Sequence, residues 1–228
     1  MRMINRFHRV VAVLASISLL QGCGVAYSAK PITGRVVDSA TKQPLAGVNV
    51  VAHWVVQGFG LEGGNGTDMV LMEAVTDGDG RYFFSGWGPK AVPMNADLGA
   101  RLTFMAPELI FFKPDYWSMS VSNESTGPQP GTGPLTRTSD WDGKTVELKK
   151  FEGTPSQYST ITRSALSSVS LAGCDWKKIP RIIVVLDRES IRLEKSGIYT
   201  STPLIELIRG SSEGQHCGSI DEFFKDYQ

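Results

Sequence analysis

Histidine is scarce in this chain: His8, His53 and His216 are the three in 228 residues. Neither His53 nor His216 has Glu three residues later, and no H-E-x-x-H helix occurs, so zinc-peptidase chemistry lacks its ligands. A G-x-S-x-G elbow, a phosphate-binding loop and a dinucleotide-binding glycine fingerprint are absent too. No cofactor, metal site or catalytic residue is expected from motifs, and the chain reads as non-enzymatic. Charge of one sign is also missing, with 23 Lys and Arg against 23 Asp and Glu. With no basic stripe, nucleic acid is a poor partner.

Cysteine is nearly as rare, and the three present divide unequally. Arg2, Arg6 and Arg9 precede an apolar run, Val10 to Leu20, of signal-peptide length and too short to span a bilayer. The run closes on Leu20-Gln21-Gly22-Cys23, which resembles a bacterial lipobox, although Gln21 departs from the usual small residue. Residues 1–22 are then expected to be removed, with Cys23 lipidated and 23–30 forming a tether. A cut after Ser28 by an ordinary secretory peptidase is the alternative, and either way the chain is exported. Gly24 after the cysteine resembles an outer-membrane sorting signal, so the expected address is the outer membrane, lipid-anchored on its periplasmic or surface face. No second long apolar run follows. Cys174 and Cys217 remain, an even pair in an oxidising compartment without Cys-x-x-Cys spacing, and a structural disulfide is expected.

From Pro31 the pattern is of strands and turns. Residues 32–38 alternate, 48–52 form a second strand, and 69–76 a third that ends at Asp77-Gly78-Asp79-Gly80. Residues 81–84 are predicted to return as the second arm of a hairpin. Weaker strand signals cover 102–105, 109–112, 117–121 and 145–148. Two carboxylates in Asp77 and Asp79 invite a calcium reading, but the twelfth position of such a loop is Gly88 rather than Glu, so a tight turn is expected.

Three stretches carry a resemblance: Ile32-x-Gly34-x-Val36-x-Asp38, Thr41-x-x-Pro44-Leu45-x-Gly47-Val48-x-Val50, and Thr76-Asp77-x-x-Gly80-x-Tyr82-x-Phe84. Together they resemble the carboxypeptidase regulatory-like family. The resemblance implies a mainly β fold, a transthyretin-like β-sandwich over 31–150, and it concerns an accessory domain rather than a catalytic one. Gly34 would allow close packing, Gly80 an unusual backbone angle, and Tyr82 and Phe84 would enter the core. Lipid-anchored relatives of this kind imply docking roles in envelope assemblies. Residues 57–68, 85–100 and 122–143 read as inserted loops.

Residues 151–228 read as a small helical C-terminal segment holding the disulfide. Helices are predicted over 155–171, from Pro180 to about Lys195, and over 219–224, with a strand over 181–186 as the alternative for the second. His53 is expected to be a structural edge-strand residue and His216 to be exposed beside Cys217. Trp87 and Trp141, in Gly- and Pro-rich surroundings, are the candidate binding residues, since exposed rings form platforms. The expected function is a non-catalytic envelope lipoprotein that binds or scaffolds a protein partner. A carbohydrate or peptidoglycan binder using the loop tryptophans is one alternative, and a hydrolase of unrecognised type another.

Overall fold

The computed structural model describes residues 25–58, 66–124, 135–171, 173–198, 203–211 and 214–227. The leader and Cys23 lie outside the described residues. In chain order the strands are β1 (Ala26–Ala29), β2 (Ile32–Asp38), β3 (Asn49–Gln57), β4 (Thr67–Val75), β5 (Arg81–Phe84), β6 (Trp87–Ala91), β7 (Arg101–Leu102), β8 (Glu108–Phe112), β9 (Met119–Val121), β10 (Thr136–Arg137) and β11 (Thr145–Leu148). Among the described residues four α-helices follow: α1 (Pro155–Ser164), α2 (Pro180–Lys195), α3 (Leu204–Gly210) and α4 (Ile220–Lys225). The fold is mainly β, a β-sandwich followed by a small helical segment.

One layer of the sandwich is the sheet β4-β3-β8-β9, with β7 added on β3. The other is a broken ribbon. Its two three-stranded sheets, β10-β1-β6 and β11-β2-β5, run end to end, because β1 continues into β2 while β5 continues into β6. Between the layers lie Val36, Val50, Ala52, Trp54, Val56, Tyr82, Phe84, Phe111 and Val146. The strand β3 reads Asn-Val-Val-Ala-His-Trp-Val-Val-Gln without clean alternation, and the reason is burial on both faces. Its second face carries Val51, which joins Leu71, Ile110 and Phe112 against Ile179, Ile182, Ile183 and Phe224 of the helical segment. The C-terminal segment is therefore a third layer on the sheet.

That layer is tied down by carboxylates acting at a distance. No side chain of its own caps α2, and instead Glu73 of β4 accepts the N–H groups of Arg181 (3.1 Å) and Ile182 (2.6 Å). A carboxylate at the positive end of a helix satisfies two orphan donors and the dipole together. With Pro180 in the first turn, this selects helix over the strand alternative at 181–186. In the same way Asp187 of α2 accepts the Ile205 N–H at the start of α3, 3.0 Å away. Ser219 caps α4 through the Glu222 N–H.

Several expectations need correction. β5 does not return on β4 as a hairpin; it pairs with β2 across the sandwich, Phe84 opposite Ile32 and Tyr82 opposite Gly34. The turn at 77–80 thus crosses between layers. Gly80, at φ 73°, is held where a Cβ would lie 2.4 Å from the Val36 carbonyl oxygen, and the Tyr82 ring lies over Gly34 where a Cβ would collide with it. The Asp77 carboxylate is engaged in this turn, accepting the N–H groups of Asp79 (3.0 Å) and Arg81 (2.8 Å). The tether expectation for 23–30 fails over Ala26–Ala29, which is β1, with the Tyr27 ring fully buried beneath Arg137. The presumed loop 85–100 contains β6, the loop 122–143 contains β10, and the ends of 57–68 belong to β3 and β4.

Candidate functional site

His53 is not at an edge. It sits in β3, flanked by β4 and β8, on the face turned to the helical layer, and is almost fully buried. The register explains its neighbours. Trp54 opposes Val70 and Val55 opposes Asp68, so Met69 is an extra residue in β4. Such a bulge re-aims the side chain beside it. Met69 and Val70 both enter the sandwich core, and Asp68 is turned to the His53 face. On the other flank Glu108 of β8 is directly opposite His53.

The imidazole is consequently held between two carboxylates. Its Nε2 is 2.6 Å from Asp68 Oδ1, and its Nδ1 is 3.8 Å from Glu108 Oε2. Burial alone would push the ring towards neutrality, but Asp68 and Glu108 outweigh it and raise its pKa to about 9. Glu108 is held below the usual carboxylate range by the adjacent imidazole, against the opposing effect of burial, and Ser168 and Ser120 hydroxyls donate to it as well. A cavity of about 310 Å³ opens beside the cluster, lined by His53, Asp68, Thr103, Met105, Glu108 and Ser168.

This arrangement stores charge on a buried ring. A triad needs one ring nitrogen free to take a proton from Ser or Cys. Here Nε2 is taken by Asp68, while Nδ1 lies 3.8 Å from Glu108, beyond hydrogen-bond reach, and the Ser168 and Ser120 hydroxyls donate to Glu108. Among the described residues no group of three His, Cys, Asp or Glu side chains could hold a metal ion. His216 is exposed beside Cys217.

The tryptophans are placed differently from the platform expectation. Trp87 is in the core, its ring edge-on to Trp54 at 5.6 Å, and it offers no face to a ligand. Trp141 is half-buried, donates from Nε1 to the Ser122 carbonyl (3.0 Å) and lies under the Lys144 ammonium. Trp117 is the more exposed ring, tilted against Phe151. Cys174 and Cys217 are bonded, Cα atoms 5.6 Å apart, joining the 3₁₀ turns before α2 and before α4.

A second concave surface lies where the two layers leave their edges open. Among the described residues β4 and β5 each have a single strand neighbour, and a groove of about 690 Å³ runs along them, lined by Arg35, Ala74, Val75, Asp77, Arg81 and Phe83 among others. Along β5 the alternation sends Tyr82 and Phe84 inward, leaving Phe83 59% exposed. Asp68, Glu108 and Phe83 were all missed as site residues by sequence reasoning. The one signal was His53 itself, a polar residue inside a strand too apolar to have a solvent face.

No family model matches the chain, and no curated protein matches it significantly. Among solved structures it is similar to the group B streptococcus pilus 2b backbone protein, at 17% identity over 53% of this chain and 41% of that one, with a TM-score of 0.27. A 9R-lipoxygenase from Cyanothece PCC8801 matches at 14% identity over 75% of this chain and 24% of its own, TM-score 0.26. Chlorocatechol 1,2-dioxygenase from Pseudomonas putida matches at 15% identity over 55% and 60%, TM-score 0.27. The chain spans less than two thirds of each. Likeness at this level carries no argument about activity, and the sandwich rests on the strand registers above.

Proposed function

We propose that the protein is an exported, lipid-anchored, non-catalytic binding module of the carboxypeptidase regulatory-like kind, docking a protein partner at the cell envelope. The observation that carries this reading is Phe83: a large apolar ring turned to solvent in an edge strand, two residues beyond Arg81, on a groove that Arg81 and Asp77 also line. An apolar centre with a charged rim is the usual anatomy of a protein interface, and an open strand edge offers backbone pairing to an incoming segment. The placement of the His53 ring between the Asp68 and Glu108 carboxylates supports the non-catalytic half. The Cys23 lipobox supports the anchor.

A photo-crosslinking amino acid at position 83 of the full chain, in intact cells, tests the proposal. A defined protein adduct that is lost in Cys23→Ser supports an anchored docking module. Folded, exported protein that yields no adduct at this position overturns the docking surface. An adduct indifferent to Cys23→Ser overturns the anchor.

A further inference from the structure

We infer that the loop 92–100 is a membrane-contact rim, with Met94 and Leu98 entering the same lipid surface that holds the acylated Cys23. The inference rests on the anchor proposed above and adds an orientation to it. Val25 accepts the Val92 N–H through its carbonyl at 3.3 Å, and Ala26 is paired with Ala91 in the antiparallel β1–β6 ladder. The loop therefore leaves the sheet at the point where the chain arrives from Cys23. Only two residue steps separate Cys23 from Val25, a reach of at most roughly 7 Å at full extension. Acyl chains on Cys23 thus start close to this loop whatever path those residues take.

The loop is chemically suited to that position. Met94 and Leu98 are wholly exposed, at 103% and 102%, the two most exposed of the large apolar side chains among the described residues. Single apolar residues on a surface are ordinary, but two on one loop beside an anchor form a pair of wedges. The Arg101 guanidinium donates to the carbonyls of Gly99 (3.1 Å) and Ala100 (3.0 Å) at the end of the loop. Exposed Lys90 next to the loop has a stem long enough to lie along lipid with its ammonium at the headgroups. Exposed Asp97 offsets that charge, so the contact is apolar and should not depend on salt. The opposite end of the ribbon, the 77–80 turn, then points away from the membrane and presents Phe83 outward.

The test uses the full chain, purified in lipidated form, in vesicles of phosphatidylethanolamine with a minority of phosphatidylglycerol. An environment-sensitive fluorophore is placed at Met94→Cys, at Leu98→Cys and, as the far-end control, at Asp79→Cys, and the mass of the N-terminal peptide reports acylation. The expected result is blue-shifted emission at 94 and 98, quenched by nitroxide-bearing lipid and unchanged in high salt, with the label at 79 remaining in water. Acylated, vesicle-bound protein whose labels at 94 and 98 stay in water overturns the rim and leaves the anchor standing. An N-terminal peptide without acyl mass overturns the anchor and the rim together.

Discussion

His53 Nε2 and Asp68 Oδ1 lie 2.6 Å apart with side chains 1% and 5% exposed, a contact that exists because one extra residue in β4 turns Asp68 to the histidine. An ion pair so deeply buried costs desolvation, and its Coulomb attraction offsets that cost only while both partners remain. The cluster thus works as a pin between β3, β4 and β8, which makes the sheet's stability depend on the charge of one ring.

The first prediction is the pH dependence of that pin. His53 binds its proton more tightly when folded, rising from 6.5 to about 9. Its stabilisation is full below pH 6.5 and is lost as pH climbs through about 9, a contribution of about 3 kcal/mol by linkage. Glu108, held low in the fold, adds a separate loss on the acid side as pH falls through its depressed value. Urea unfolding across the alkaline limb should show a falling midpoint in the native protein and a flat one in His53→Gln. An identical alkaline slope in both would show that other groups carry it.

Glu73 gives a second prediction. It caps α2 from a different layer, so Glu73→Ala should cost about 2 kcal/mol, the upper end for a lost cap, while Glu73→Gln keeps an acceptor and costs less. Amide exchange at Arg181 and Ile182 should quicken more than exchange in the middle of α2. Uniform quickening along α2 would mean the helix is docked by its apolar face alone.

How much of this was legible in the sequence depends on whether the signal was local. Residues 32–38 and 145–148 carry their own alternation, and both are strands with those bounds. Pro180 followed by apolar residues at helical spacing marks α2 correctly. β1, β6 and β10 are short and hold together by long-range pairing, Ala29 with Trp87 and with Arg137, so nothing nearby in sequence announces them. The hairpin expectation at 69–84 failed for the same reason: a tight turn fixes a reversal of direction, not which layer the next strand joins. Asp68 was hidden in a glycine-rich stretch, and only the bulge at Met69 gives it a role.

Trp87 supplies a third prediction, and it separates core from platform. Its ring is edge-on to Trp54 at 5.6 Å inside the sandwich. Trp87→Ala should therefore cost about 3–5 kcal/mol through the cavity left behind, whereas Trp117→Ala, at a half-open surface, should cost much less. Thermal unfolding of both variants checks this. A Trp87→Ala protein of native stability would return the ring to the surface and reopen the carbohydrate reading.

The last prediction concerns the disulfide and the helical layer it closes. Cys174 and Cys217 are 43 residues apart, and they bracket α2 and α3. Around the bridge Trp176 stacks on Phe224 at 5.4 Å and meets Phe223 edge-on, while the Lys177 ammonium lies over the Trp176 ring and donates to the Cys217 carbonyl. The cross-link removes freedom from the unfolded chain, and a loop of this length is worth about 4 kcal/mol in the chain-entropy model. The helical layer nevertheless has its own adhesion, because Ile179, Ile182 and Ile183 are buried against Val51, Leu71, Ile110 and Phe112. Each such side chain contributes about 1.5–3 kcal/mol. The paired Cys174→Ser/Cys217→Ser protein should therefore unfold at lower urea by close to the full cross-link value, yet keep α2 docked in its absence. Amide protection in α2 of the variant, measured in native buffer, decides the matter. Protection retained in α2 and lost around Trp176 and α4 is the expected pattern. Loss throughout α2 would show that the bridge, rather than the apolar face and the Glu73 cap, holds the third layer on the sheet.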